Sequence, residues 1–529
     1  MRRFGGSSGP ADPVSSGLVP SEGPAPADTT SAEETDLRAA SISGVRWVGL
    51  SRVSAEALGL ASTVVLARLI APAGFGHAAV ALGFVAVALG ISWLGFGTPL
   101  IQMPSVSRED VEVATLLSVA TGLTLTVATI LVLAPYLIAP IFGGREAYLL
   151  KLAAPIFLLS GISTVPTALL QRRLAFRRTS QIEIASLAAA PVVSITLASA
   201  ADLNAEALVF GALATAAVGT TLALIASPPS MPRWRRRHAR HIASFGTFAG
   251  LVGVTGTLFV NIDYMILGAR LPPREVGFYW RAYTLGVDYQ SKISGIVTRL
   301  ALPLYSRAAE DEMRRMREKM LRVHAIVLFP TLTTLIALAP EFVPLFYGER
   351  WTPAVFPTQA LAVAGMAAVA SVGTAPLMFA IGKPRPLLYF FIVLLTGYAL
   401  IVTWASGYGL RTVVIAVAIY QVALVTAQFY FLDDRQVGIP MRESWRAIRP
   451  GLVSSGISLA VAYPTARMLA RGGAPDVMIL LAVGTLAVAV YAIMLRVLFP
   501  TSWRELLSFV RAFLGRRKRG TRAAATAAE

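Results

Sequence analysis
The sequence predicts an all-α polytopic membrane protein. About fourteen transmembrane helices are expected, in two parallel six-helix lobes plus two extra helices. Three observations carry this expectation: an apolar composition, basic residues that favour alternate loops, and an internal repeat.

Of the 529 residues, 55% are hydrophobic and only 14% charged, against roughly 25% charged in ordinary soluble domains. A chain of mean hydropathy +0.64 lacks the polar residues to cover a water-exposed surface. The formal charge of +18 is read as a basic cytoplasmic face against anionic lipid, not as a nucleic-acid footprint. No cysteine is present, which excludes disulfides, thiolate metal sites and cysteine nucleophiles. Of His77, His238, His241 and His324, only His238 and His241 lie close together, and they sit in a run of arginines.

Residues 1–40 are rich in Ser, Pro, Gly and Ala and have no apolar core, so a disordered cytoplasmic tail is expected there, not a signal peptide. Apolar segments follow at 45–70, 78–102, 112–134, 149–170, 181–201, 205–226, 242–268, 277–305, 323–346, 355–381, 387–405, 411–432, 451–470 and 477–499. They group as an N-lobe (41–226), a basic cytoplasmic linker (227–241), a C-lobe (242–432) and two added helices (451–499). An amphipathic basic cytoplasmic tail occupies 500–529. In that tail Trp503, Leu506, Leu507, Val510 and Leu514 share a helix face ahead of Arg516–Arg519, the pattern of an interfacial helix with a polybasic anchor.

Lys and Arg set the orientation. With the N-terminus cytoplasmic, the inside connections hold Arg172, Arg173, Arg177 and Arg178; Arg233, Arg235, Arg236, Arg237 and Arg240; and Arg314, Arg315, Arg317, Lys319 and Arg322. The outside connections hold scattered arginines such as Arg145, Arg270, Arg350 and Arg471. The bias keeps one sign throughout, which favours an even number of spans with both termini cytoplasmic in a bacterial cell membrane.

The repeat is visible in three places. Ala67-Arg68-Leu69 with Pro72 and Gly76 recurs as Ala269-Arg270-Leu271 with Pro273 and Gly277. Pro140-Ile141-Phe142-Gly143 recurs as Pro344-Leu345-Phe346-Tyr347-Gly348. Pro166 ahead of a basic turn recurs as Pro376. The offsets are 202 (Arg68 to Arg270), 204 (Pro140 to Pro344) and 210 (Pro166 to Pro376). Parallel repeats of this kind are a transporter architecture, with the ligand at the interface of the lobes.

No phosphate-loop, zinc-protease or nucleophile-elbow motif occurs. Gly74, Gly76 and Ala79 fit a dinucleotide fingerprint only nominally, because they lie in a turn between spans. The outside connections Ala71–His77, Ala201–Glu206 and Arg471–Asp476 are too short to form a catalytic platform. The chain is therefore expected not to be an enzyme and to hold no cofactor or metal.

Ionisable residues inside spans cost about 2.5–3.5 kcal/mol each on insertion scales and usually face a wet cavity. Arg281, Asp288, Lys292 and Arg299 fall near one line of a regular helix at about 100° per residue. One reading is an Asp288–Lys292 pair flanked by snorkelling arginines. The other is a cationic track for an anionic head group. Arg52 and Glu56 share a face of the first span and can neutralise each other. Asp263, Glu56 and Asp288 are the candidates for carrying a coupled proton or sodium ion. Gly246, Gly250, Gly253 and Gly256 make a small-residue packing face. Arg68, Arg270 and Glu183 are expected at the interface.

The strings Val64–Phe84 (VVLARLIAPAGFGHAAVALGF), Leu94–Gln102 (LGFGTPLIQ) and Val165–Arg178 (VPTALLQRRLAFRR) resemble the polysaccharide transporters of the multidrug/oligosaccharidyl-lipid/polysaccharide flippase superfamily. So do Asn261–Leu285, Leu345–Ala354 and Ala380–Leu388, and the resemblance covers residues 44–440. It implies two lobes of twelve to fourteen helices in all. It also implies outward movement of a polyprenyl-diphosphate-linked glycan through a basic lumen, for lipopolysaccharide or exopolysaccharide synthesis. The expected binding residues are Arg281, Lys292, Arg299 and Arg52. Expected partners are the lipid-linked glycan, membrane lipids, and polysaccharide polymerase and chain-length proteins, with no nucleic acid. The alternative is a drug or cation exporter of the same superfamily, which calls for acidic cavity residues.

Overall fold
The computed structural model describes residues 58–92, 96–103, 105–291, scattered positions from 294 to 305, 308–508 and 511. Among these the regular structure is entirely helical. The first helices are α1 (Leu58–Leu69), α2 (Pro72–Ser92), α3 (Gly97–Gln102), α4 (Arg108–Phe142) and α5 (Gly144–Arg172). Next come α6 (Phe176–Ala200), α7 (Ala205–Ala226), α8 (Arg236–Arg270) and α9 (Pro273–Tyr283), the last extended by a π-helical stretch, Thr284–Asp288. Then follow α10 (Glu310–Tyr347), α11 (Val355–Ala370), α12 (Thr374–Ala380), α13 (Pro384–Ser406), α14 (Leu410–Gln428), α15 (Met441–Arg471) and α16 (Asp476–Leu498).

Local chemistry explains the ends. Ser107 begins α4 with a reciprocal cap: its Oγ accepts from the Asp110 amide at 3.1 Å, and its own amide donates to the Asp110 carboxylate at 2.9 Å. Proline opens α2, α9 and α13, where a missing N–H costs nothing. Gly143 and Gly348 close α4 and α10 at φ of +102° and +95°, a region that side chains resist. These two glycines are the ends of the Pro140 and Pro344 strings, so the repeat holds in backbone conformation as well as in sequence.

The solvent for these helices is lipid. On α16, Ile479, Val483, Ala487, Tyr491 and Leu495 are buried at a spacing of four, while Leu481, Val488 and Val497 are exposed on the other side. A helix apolar all round belongs in a membrane or a deep core. Ten stretches among the described residues are long and apolar enough to cross a bilayer. Helix is also present at the other expected positions, over Leu58–Leu69, Arg236–Arg270, Pro273–Tyr283 and Met441–Arg471. The chain is thus an all-α polytopic membrane protein.

Two of the core clusters draw on residues 78–239, and five on residues 301–495. With α1–α7 taken as the first helix set and α8–α16 as the second, a further cluster takes residues from both, including Phe75, Tyr279 and Trp351. The connections Met103–Ser107, Arg173–Ala175 and Ser227–Arg235 lie together, since Arg172 donates to the Met103 carbonyl at 2.6 Å and the Arg233 amide to the Glu112 carbonyl at 3.4 Å; this end of the helices is termed the basic face.

Several expectations are revised. Arg317, expected in a loop, is fully buried inside α10. Its Nη2 donates to Asp433 at 3.0 Å and to the Thr374 hydroxyl at 2.8 Å, and Nη1 donates to the Val372 carbonyl. Ser444 completes the network by donating to Asp433 at 3.2 Å. The apolar face of the tail is packed on protein: Trp503 and Leu506 lie on Ile326, Tyr491 and Leu495, and Glu505 pairs with Arg322 at 2.9 Å. Val510, Leu514 and the polybasic run lie outside the described residues. On α8, a Cβ at Gly256 would meet open space, while Gly268 is pressed against Val80. The other three glycines of the expected stripe lie outside the described side chains.

Removing one member of a buried ion pair strands the other charge, at a cost of about 3–5 kcal/mol. Asp433→Asn should accordingly lower the thermal transition in detergent sharply. Arg317→Met with Asp433→Leu should recover most of the loss.

Candidate functional site
The two copies of the repeated string meet each other. Helices α2 and α9 each begin with proline and carry glycine four residues later, at Gly76 and Gly277. They cross so closely that a Cβ on Gly76 would overlap the Pro273 carbonyl, and one on Gly277 the Pro72 carbonyl. Only glycine permits this approach. The contact is reciprocal, as it is between symmetry-related elements.

Around the crossing, each set caps the other's helix ends. Arg68, at the end of α1, donates from Nε to the Phe346 carbonyl at 3.0 Å and from Nη2 to the Leu345 carbonyl, both at the end of α10. Arg350 donates to the carbonyls of Ala67 (2.8 Å) and Arg68. The Trp351 indole donates to Ala67 at 2.8 Å. The last carbonyls of a helix have no intrahelical partner, so these donors fill vacancies on the far side of the crossing. Arg68 was expected only as an interfacial anchor; it is a bridge.

Arg281 lies beneath. It is 7% exposed. Its guanidinium carbon stands 4.5 Å from the Phe75 ring centre and 4.4 Å from that of Trp280. Cations are attracted to such ring faces. Its Nη1 reaches only the Thr63 hydroxyl, at 3.4 Å, and its Nε has no partner. Among the described residues no carboxylate comes within ion-pair distance of it. Phe75 also meets Trp351 edge-on at 5.2 Å, and Trp351 meets Tyr347 at 5.9 Å. A buried, under-donating cation therefore sits under an aromatic lid made by both helix sets.

Asp263, on α8, is the complementary case. It is fully buried and accepts from the Tyr279 hydroxyl at 2.7 Å, the Tyr398 hydroxyl at 3.1 Å and the Tyr264 amide at 2.9 Å. Three donors compensate a carboxylate taken out of water. Asp288 is half-buried and engaged in an interaction of its own. Arg52, Glu56, Lys292 and Arg299 lie outside the described residues. The uniform 100° spacing that aligned Arg281 with Asp288 does not run through Thr284–Asp288, where the turn is π-helical and each turn takes an extra residue. The residues that sequence reasoning missed are the neutral ones: Phe75, Trp280, Tyr279 and Tyr398. Tyr279 and Trp280 have a local signal in the aromatic density of Phe278-Tyr279-Trp280-Arg281-Ala282-Tyr283; Phe75 and Tyr398 have none.

On the basic face, His238 bridges the start of α8 to the start of α4, with Nδ1 at 2.6 Å from Asp110 and Nε2 at 3.0 Å from Glu109. Among the described residues no group of His, Asp and Glu side chains is arranged to hold a metal.

Residues 65–356 match the sequence model of the family described as polysaccharide biosynthesis protein, over more than half of the chain. The chain belongs to this family. The chain is 28% identical over 336 residues to the lipopolysaccharide biosynthesis protein WzxC of Escherichia coli (strain K12), covering 62% of this chain and 68% of that one. It is 24% identical over 396 residues to the teichuronic acid biosynthesis protein TuaB of Bacillus subtilis (strain 168), covering 72% and 80%. Among solved structures it resembles the lipid II flippase MurJ in an inward closed conformation, with TM-score 0.62, 13% identity, and 86% and 99% coverage. It also resembles an inward-facing MATE family multidrug resistance transporter of the MOP superfamily, with TM-score 0.56, 14% identity, and 75% and 99% coverage. At these identities the two structures establish a shared fold.

In this family member the crossing should not tolerate a methyl group. Gly277→Ala should separate α2 from α9. In a protein bearing Arg68→Cys and Phe346→Cys, disulfide yield across the bridge should then fall well below that of the Gly277 parent.

Proposed function
We propose that the protein is a flippase that moves a polyprenyl-diphosphate-linked oligosaccharide from the cytoplasmic to the outer leaflet of the bacterial cell membrane. The observation that carries this reading is Arg281, a buried guanidinium with unmet donors at the crossing of two duplicated helix units. Family membership and the names of WzxC and TuaB support the glycan. A diphosphate bearing sugars cannot enter hydrocarbon, because its charges and hydroxyls would lose their water. A basic passage between two lobes, 41–226 and 242–432, replaces that water while the polyprenyl tail stays in lipid. The helices within 451–499 are then an appendage on the second lobe.

In this reading the basic face is cytoplasmic and the Gly76–Gly277 crossing closes the outer side. Rocking of the lobes opens the other side in turn. With the cell interior negative, outward passage of an anion gains about 2.3 kcal/mol per charge per 100 mV. Asp263, held by two tyrosines and an amide, is the best-placed carboxylate for a coupled cation. Once outside, the glycan passes to polymerase and chain-length proteins. A drug or cation exporter fits Arg281 poorly, since an organic cation and a guanidinium repel. No step of this cycle requires bond chemistry.

Two measurements test the proposal. Reconstituted protein should carry a fluorescent polyprenyl-diphosphate glycan between leaflets unaltered. Arg281→Gln should lower transport per inserted molecule at least tenfold, equivalent to about 1.4 kcal/mol, while Arg281→Lys keeps part of it. Normal transport by Arg281→Gln would remove that residue from the passage. For orientation, Tyr408→Cys should react with an impermeant thiol reagent on intact cells and Met231→Cys should not.

A further inference from the structure
Arg281 has two roles that exclude each other. In this structure its guanidinium is spent on the closure: it lies against Phe75 of α2 and Trp280 of α9, and its one side-chain hydrogen bond among the described residues, at 3.4 Å, is to Thr63 of α1. Phe75 and Thr63 belong to the first helix set; Arg281 and Trp280 belong to the second. The same ring of Phe75 meets Trp351, whose indole donates to Ala67 at 2.8 Å in the bridge above. The donors lie in the guanidinium plane and not under the rings, but the closure that holds Phe75 in place leaves Arg281 only 7% exposed, so an anion has no open approach to them. Yet the cover is a poor substitute for an anion, because Nε stays without a partner and a ring face offers no oxygen lone pairs.

We propose that Phe75 is a positioning residue that masks Arg281 in the outer-closed state. A diphosphate then competes with the Phe75 ring for Arg281, so that anion binding is what releases the outer closure. This rests on the flippase reading and deepens it. A ligand shifts a two-state equilibrium only by binding one state better than the other. Here the difference has a structural source: the outer-closed state offers an occluded guanidinium, and the outer-open state offers its full fork of donors. While the closed state predominates, whatever loosens the Phe75 contact raises the binding-competent fraction and tightens diphosphate binding in proportion.

The cysteine-free chain allows a direct test. Ala201→Cys and Tyr408→Cys place one spin label on each helix set at the closed end, and distances are measured in nanodiscs with and without a polyprenyl diphosphate. In the otherwise unmodified protein the lipid should shift the distribution to longer distances. Phe75→Leu should lengthen it without lipid and tighten lipid binding at least about fivefold. Phe75→Tyr keeps the ring and should behave as the parent. Arg281→Gln should abolish the lipid-induced shift, and Phe75→Leu combined with Arg281→Gln should bind no more tightly than Arg281→Gln alone. Unchanged affinity in Phe75→Leu, or a normal lipid-induced shift in Arg281→Gln, overturns the proposal. If glycolipid is transported normally while diphosphate leaves the distances unmoved, this inference fails and the flippase reading stands. If diphosphate opens the closure but no lipid-linked glycan is carried, the flippase reading fails and this inference stands.

Discussion
Two helices crossing backbone to backbone set every other distance at the site. With a side chain at either Gly76 or Gly277, α2 and α9 would stand farther apart. Arg68 and Arg350 would then miss the carbonyls they cap, and Phe75 would not reach Arg281. The crossing is made by the N-terminal turns of two helices that begin with proline. Each therefore arrives with a fixed entry geometry and a bare glycine surface. Duplication supplies the complementarity: a string that offers a glycine and a carbonyl four residues apart is its own partner when it appears twice.

Much of this was legible in the sequence. The apolar segments fall where helices stand, because lipid forces each backbone polar group to be satisfied within its own segment. The repeated strings at Pro72/Gly76 and Pro273/Gly277 announced a relation, and the structure adds that they touch. The unread parts are nonlocal or break regular geometry. Arg317 looks like one more basic loop residue until α10 is seen to continue through it and Asp433, 116 residues away, to meet it. Trp503 and Leu506 looked like membrane ligands because sequence cannot say whether an apolar face meets lipid or a neighbouring helix. The line through Arg281 and Asp288 assumed a constant helical pitch, and the π-helical turn at Thr284–Asp288 breaks it.

The buried charges are accommodated in three ways, and the differences are informative. Arg317 and Asp433 neutralise each other and are bonded by two hydroxyls and a carbonyl, which makes them a fixed joint between α10, α12, α15 and the π-helical stretch Phe429–Val437 that follows α14. Asp263 is stabilised without a counter-charge, by hydroxyls that can rotate and an amide that cannot. Arg281 is stabilised least: ring faces attract its charge but leave donors unused. Arg317 and Arg281 each keep an Nε without a partner; what separates them is the carboxylate that Arg317 has and that no described residue offers Arg281, so Arg281 is the one whose charge an anionic ligand can still neutralise.

The bridge at the crossing has a consequence for how such a chain can diverge. Arg68, Arg350 and Trp351 all donate to main-chain carbonyls. Every residue type carries that acceptor, so Ala67, Leu345 and Phe346 can be replaced without removing what the donors hold. The burden of heredity falls on the donors and on the two glycines alone. A lineage could rewrite the receiving surfaces and keep the crossing intact.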